Sequence, residues 1–167
     1  MNRNLLILGF GGLGRVAWKA AVSMAFFETI HFLDDNKNQD PVIGKLDDAK
    51  QYAGEYAYAI SAIGNNRMRE IETKALKEIE FLIPVLIHSS AVVDDTAICR
   101  EGVIVCANAV VSVCSIVNEG CVIGCNSVIG HDSHVECFSL IHDGGLIAPR
   151  AVVPAYSTVD YGQIVRT

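Results

Sequence analysis

Two groups of residues in this 167-residue chain have the types and spacing to do chemistry. The first is Gly130-His131-Asp132. An imidazole is neutral near pH 7 and can take a proton from a hydroxyl or an amine as that group attacks an electrophile. A carboxylate beside it orients the ring and favours its charged form. The second is Gly9-Phe10-Gly11-Gly12-Leu13-Gly14, a GxGxxG run set between an apolar strand and a helix, with Asp34 twenty residues beyond the last glycine. Glycines allow a tight turn that brings backbone N–H groups and a helix N-terminus against a phosphate, while a carboxylate closing the second strand accepts ribose hydroxyls. Asp35 adjoins that carboxylate, and Asn65, Asn66 and Arg67 follow a later strand at the edge where open α/β sheets bind ligands.

The elements that must hold these groups differ between the two halves. Before His88 there are 10 bases and 11 acids; from His88 onward there are 3 bases and 8 acids, with no lysine. In the first half, apolar strands at residues 4–8, 29–33 and 56–63 alternate with helical stretches at 13–25, 47–53 and 66–79, which predicts a parallel sheet. Trp18 and Phe26 are expected as core contacts of the first helix. Fewer than 90 residues precede the second half, so a single nucleotide or nucleotide-sugar site fits better than a full dinucleotide domain.

The second half has a period of six. From Val93 to Val165 every sixth residue is Val or Ile, with Cys99 as the exception, and four positions after each stands a small residue such as Ala109, Ser115, Ser127 or Gly145. Period-two alternation turns both columns to one face, a large and a small side chain that suit the narrow interior of a three-sided solenoid. This is the hexapeptide pattern of a left-handed parallel β-helix of about four coils. The register is uninterrupted, and residues 154–167 read as its closing turn. The remaining alternate column, including Ile98, Ile104, Val110, Val128 and Leu146, must point outward, and an exposed apolar surface of this kind predicts self-association. Cys121, Cys125, His131 and His134 imitate a zinc spacing, but the register turns Cys121 inward and scatters the others, so no metal is expected.

Composition narrows the function. With 51% hydrophobic and 19% charged residues the chain can bury a core, and its net charge of −6 has the wrong sign for a nucleic-acid partner. No segment reads as a signal peptide or a membrane span, and six cysteines between Cys99 and Cys137 form no CxxC pair. The expected setting is a reducing cytoplasm with buried thiols.

LLILGFGGLGR at 5–15, HFLDDN at 31–36, AIGNNRMR at 62–69, HSSAVV at 88–93 and VIGHDSHV at 128–135 together resemble the NeuD/PglD-like family of bacterial sugar acyltransferases. The resemblance covers essentially the whole chain. It implies an α/β Rossmann-like nucleotide-sugar-binding domain at residues 1–87 and a left-handed β-helix acyltransferase domain at 88–167. It also implies a homotrimer, acetyl-CoA in the groove between neighbouring subunits with Ala148, Arg150 and His142 as contacts, and a nucleotide-linked sugar held by Gly9, Gly11, Gly12, Gly14, Asp34, Asp35, Asn65, Asn66 and Arg67. His131 would then be the base that activates a sugar hydroxyl or amine toward the thioester, with Asp132 behind it, in surface polysaccharide or glycan biosynthesis. One departure stands out. Eighteen residues after His131, where relatives present a backbone N–H to the oxyanion, this chain has Pro149. Either a neighbouring amide such as that of Arg150 substitutes, or the protein is slow or inactive and serves as a nucleotide-sugar sensor or scaffold.

Overall fold

The computed structural model describes residues 2–36 and 40–166, which divide into two compact units, Met1–Pro84 and Val85–Thr167. Thr167, the last residue of the expected closing turn, lies outside the described residues.

The first unit is built on strands β1 (Leu5–Leu8), β2 (Ile30–Leu33), β3 (Val42–Gly44) and β4 (Tyr58–Ser61). They form one parallel sheet in the order β3-β2-β1-β4. All four residues of β1 are buried, as a strand covered on both faces requires. Helix α1 (Gly12–Ser23) buries Gly14, Ala17, Ala20 and Ala21, small residues that let its backbone approach the sheet. Helix α2 (Asn66–Glu78) buries Arg69, Thr73 and Leu76, a stripe at helical spacing whose first member is a cation.

Several expectations need correction. The stretch at 47–53 is a 3-10 helix over Leu46–Tyr52. Strand β3 was not anticipated, because Val42-Ile43-Gly44 is too short to show a period. Helix α1 ends at Ser23, so Phe26 lies outside it. There Phe26 is surface-exposed, edge-on to Phe27 and Tyr58, with the Arg3 guanidinium 5.7 Å from its ring centre. Trp18 is only half-buried, with the Lys19 ammonium over its ring.

The second unit is a left-handed parallel β-helix of two-residue strands. One face stacks Leu86–Ile87, Ile104–Val105, Val122–Ile123, Leu140–Ile141 and Thr158–Val159. The second stacks Val92–Val93, Val110–Val111, Val128–Ile129, Leu146–Ile147 and Ile164–Val165, and the third Ile98–Cys99, Ile116–Val117, His134–Val135 and Val152–Val153. Leu86–Ile87 already pairs with Ile104–Val105, so the first rung precedes His88.

The inward columns pack as their spacing predicts: Val105, Val111, Val117, Ile123, Ile129, Val135, Ile141 and Ile147 are wholly buried. Serines in the small column satisfy their hydroxyls on corner carbonyls, Ser115 Oγ on Ser112 O at 2.6 Å and Ser127 Oγ on His142 O at 2.9 Å, so burying them leaves no orphan polar group. A third column was missed. Asn108, Cys114, Asn126, Asp132, Phe138, Arg150 and Tyr156 recur at multiples of six with φ between 54° and 63°, and Gly102, Gly120, Gly144 and Gly162 share that left-handed region. The corners need it, and the glycines and Asn/Asp at these positions were its visible trace.

The outward column is not uniform. Val92, Ile98, Val128, Leu146, Val152 and Ile164 are exposed, whereas Ile104 and Val122 are buried. Cysteines also vary: Cys106 and Cys121 are buried, Cys99, Cys125 and Cys137 half-buried, and Cys114 exposed, and none of them forms a disulfide. Burial pushes the Cys99 thiol up to about 11. No helix among the described residues is long and apolar enough to cross a membrane.

Candidate functional site

In the first unit, the chain leaves β1 through Gly9 at φ 98°, where its amide donates to Leu33 O at 2.8 Å, and enters α1 with Gly11 as N-cap. Gly14 is required by contact: a Cβ there would stand 1.9 Å from Gly9 O. At Gly11 and Gly12 a Cβ would meet nothing within 4 Å, because both face a cavity of about 420 Å³. That cavity is lined by Gly9, Gly11 and Gly12 from the loop, Asp34, Asp35 and Asn36 from the end of β2, and Ile63 and Gly64 from the loop after β4.

The carboxylate of Asp34 is already at work. Its Oδ2 accepts the Phe10 amide at 2.7 Å and its Oδ1 the Asn36 amide at 2.8 Å, so it clamps the glycine loop to the sheet edge and keeps only residual acceptor capacity for a ligand hydroxyl. Asp35 Oδ1 accepts the Leu46 amide at 3.1 Å, and its carbonyl takes the Lys45 ammonium. Glu72 on α2 has its carboxyl raised above the ordinary value by burial, then by Asp47 and Asp35. Asn65, Asn66 and Arg67 do not line the cavity. Asn65 caps α2 by accepting the Met68 amide at 3.0 Å, Asn66 Oδ1 accepts from Arg69 at 2.7 Å, and Arg67 is exposed beside Glu70.

Arg69 is the residue the sequence reading passed over: it sits on the buried stripe of α2 and bonds the loop that carries Ile63 and Gly64. Its place in the first turn of α2, within AIGNNRMR, was the available signal. A larger cavity of about 510 Å³ between Trp18, Val16, Phe10 and Phe32 is apolar with Arg15 and Lys19 beside it, and lacks the carboxylates and the paired loops of the glycine cavity.

In the second unit, His131 lies on the corner between the second and third faces. Its side chain is 47% exposed, and Nδ1 stands 2.7 Å from Asp132 Oδ2. A carboxylate only accepts, so in the neutral ring Nδ1 carries the proton and Nε2 keeps its lone pair. The left-handed backbone of Asp132, φ 57°, is what swings its carboxylate onto the preceding ring. Behind the pair the corner is rigid. Gly130 N donates to Ile147 O at 2.8 Å, and a Cβ on Gly130 would come within 2.7 Å of Ile147 O and Pro149 N.

One coil on, Ala148 and Arg150 flank Pro149 on the same corner. The Arg150 amide donates to His131 O at 3.0 Å and the Ala148 amide to Val165 O at 2.9 Å, so neither stands in for the N–H that Pro149 lacks. His142 belongs to a different corner, between the first and second faces, where it stacks on Tyr161 with ring centres 4.4 Å apart. Within one chain, then, His131, Asp132, Ala148 and Arg150 come together and His142 does not. Among the described residues no group of three His, Cys, Asp or Glu is placed to hold a metal ion.

Comparison with known proteins agrees with both halves of this picture. The family described as the PglD N-terminal domain matches residues 4–76. No curated protein matches the chain significantly. Among solved structures, the acetyltransferase domain of PglB from Neisseria gonorrhoeae is 26% identical, with 98% of this chain and 96% of that one covered and a TM-score of 0.65. The same domain in complex with acetyl coenzyme A matches with a TM-score of 0.60. A variant of GDP-perosamine N-acetyl transferase from Caulobacter crescentus, in complex with CoA and GDP-perosamine, shares the fold at 22% identity and a TM-score of 0.80, covering 98% of this chain and 88% of that one. Residues 4–76 are thus similar to the PglD N-terminal domain, they precede a left-handed β-helix, and the chain as a whole aligns along nearly its full length with the acetyltransferase domain of PglB.

Proposed function

We propose that the protein transfers the acetyl group of acetyl-CoA to a hydroxyl or amine of a nucleotide-linked sugar, with His131 as general base. The observation that carries this reading is the His131–Asp132 pair, whose 2.7 Å contact leaves Nε2 as a basic nitrogen on an exposed corner. Nε2 takes the proton of the acceptor as its oxygen or nitrogen bonds to the acetyl carbon, and returns it to the departing sulfur. Asp132 holds the ring in the required tautomer and offsets the charge it gains.

The acyl donor supplies a thioester already activated for attack. Ala148 and Arg150 adjoin the base on the next coil, and Arg150 is the exposed cation nearest that corner in sequence register, suited to the phosphates of CoA. The exposed apolar strips on both sides of the corner, Val128 and Leu146 on one and Ile98 and Val152 on the other, favour a homotrimer in which neighbouring copies wall the groove, His142 entering from a different corner. The glycine cavity of the first unit is the site for the nucleotide part of the acceptor, with Gly9, Gly11, Gly12, Asp34 and Asp35 in its wall. A cytoplasmic location follows from the same substrates.

A second reading is a nucleotide-sugar-binding scaffold without catalysis. It is favoured by one observation: at the corner beyond His131 Pro149 has no N–H and the amides on either side are bonded to carbonyls. Incubation with acetyl-CoA and a panel of nucleotide-linked amino sugars, read by product mass, separates the two. A 42 Da gain (one acetyl group for one hydrogen, roughly) supports the transferase; nucleotide binding with neither acetylated product nor a melting response to acetyl-CoA supports the scaffold. Sedimentation as a monomer at micromolar concentration would remove the shared groove.

A further inference from the structure

Resting on the reading that the glycine cavity takes a nucleoside diphosphate, the geometry points to Arg69 as the positioning residue of that site. Arg69 is 0% exposed, yet it lies on no wall of the cavity. Its guanidinium reaches instead into the loop between β4 and α2. Nη1 donates to Ile63 O at 2.9 Å and to Gly64 O at 3.4 Å, while Nη2 donates to Asn66 Oδ1 at 2.7 Å. The residue is itself held from both sides, its amide on Asn65 O at 2.9 Å and its carbonyl accepting Thr73 Oγ1 at 2.7 Å.

Peptide planarity turns this into a statement about the cavity. In a trans peptide the N–H points opposite to the C=O of the same unit. Drawing the Ile63 and Gly64 carbonyls onto the buried guanidinium therefore aims the amides of Gly64 and Asn65 away from it. Ile63 and Gly64 line the cavity together with Gly9, Gly11 and Gly12. Among the described residues no hydrogen bond within the chain takes up the Gly64 or Asn65 amide. Arg69 thus turns the Gly64 amide, on the wall that shares the cavity with the glycine loop, away from the protein side, with the Asn65 amide next to it, and the chemical class that two such donor walls recognise is an anionic phosphate oxygen of a nucleoside diphosphate. The planar fork matters: a lysine ammonium cannot span Ile63 O and Asn66 Oδ1 from one stem.

The test is titration of the full chain and its Arg69→Met and Arg69→Lys variants with UDP, with GDP and, separately, with acetyl-CoA, alongside melting without ligand. The expected result is that Arg69→Met weakens whichever nucleotide the unsubstituted protein binds by tenfold or more, roughly the worth of one or two lost hydrogen bonds. Arg69→Lys should fall in between, with acetyl-CoA affinity unchanged in both. Unaltered nucleotide affinity in Arg69→Met overturns the inference. If Arg69→Met fails to fold, Arg69→Lys carries the test alone: native melting with unsubstituted nucleotide affinity overturns it, and native melting with weakened nucleotide binding supports it. Equal losses for nucleotide and acetyl-CoA would show a general structural role and also overturn it. Failure of the unsubstituted protein to bind either nucleotide sinks the substrate-site reading itself, and this inference with it.

Discussion

The two units hold their proposed sites in opposite ways. In the first, the working surface is backbone: a glycine loop and a second loop face each other, and the side chains that matter, Asp34 and Arg69, act by pinning those loops from the protein side. In the second, a repeat that is nearly uniform along its length carries one unusual side chain at one corner, and the corner itself is fixed by hydrogen bonds between coils. A site made of backbone depends on tertiary pins distributed over the unit. A site made of one imidazole on a solenoid can be removed without disturbing the scaffold.

The comparison can be broken most sharply at His131. His131→Ala should lower kcat by about 10²- to 10⁴-fold, the usual worth of a general base, while melting stays unchanged because the ring is exposed and packs against nothing essential. A loss of melting temperature in step with activity would show that the corner is not separable from the scaffold. In the first unit the largest effect is structural. Gly14→Ala places a methyl 1.9 Å from the Gly9 carbonyl, so a destabilisation of about 4 kcal/mol or more is expected, seen as early melting and loss of the nucleotide response with the acetyl-CoA response retained.

Smaller effects sharpen the contrast. Asp132→Asn keeps a residue that tolerates the positive φ but loses the charge behind the ring, and about a tenfold drop in kcat is expected, with little change in the KM of acetyl-CoA. Pro149→Gly adds an N–H one coil beyond His131, and if the missing donor limits turnover kcat should rise several-fold, roughly tenfold at most. An unchanged rate would show that the oxyanion is served from elsewhere.

The least effect concerns Glu72, whose carboxyl is held above its ordinary value by burial first and then by Asp47 and Asp35. A carboxyl raised in the folded state weakens the fold where it is ionised, and that loss disappears as pH falls through the folded value. Glu72→Gln should therefore melt roughly a degree or two higher than the parent at neutral pH, with the gap closing in acid. A gap that persists in acid would mean that the carboxyl is not the cause.

Legibility followed the same division. The inward column of the solenoid was readable because each coil repeats the last: a Val or Ile at multiples of six falls at the same inward place in every rung, so spacing fixes its burial, as Ile123, Ile129 and Val135 show. The sheet of the first unit was readable as alternating strands and helices, but not β3, which has three residues, nor the exposure of Phe26, which depends on where α1 stops. Asn65 and Asn66 looked like ligand contacts because of where they fall after a strand; their side chains turn out to be consumed by the helix cap and by Arg69.

The sequence by itself determined the winding of the second half, the placing of His131 on a corner and the glycine loop of the first half, since each follows from local spacing and from what glycine and alternation permit. Only the tertiary structure decided that Asp132 turns onto the His131 ring, that the Arg150 amide is spent on His131 O, and that a buried arginine holds the second wall of the glycine cavity. Those outcomes hang on the direction of individual N–H and C=O groups, which residue types constrain weakly and the stacking of coils and helices fixes.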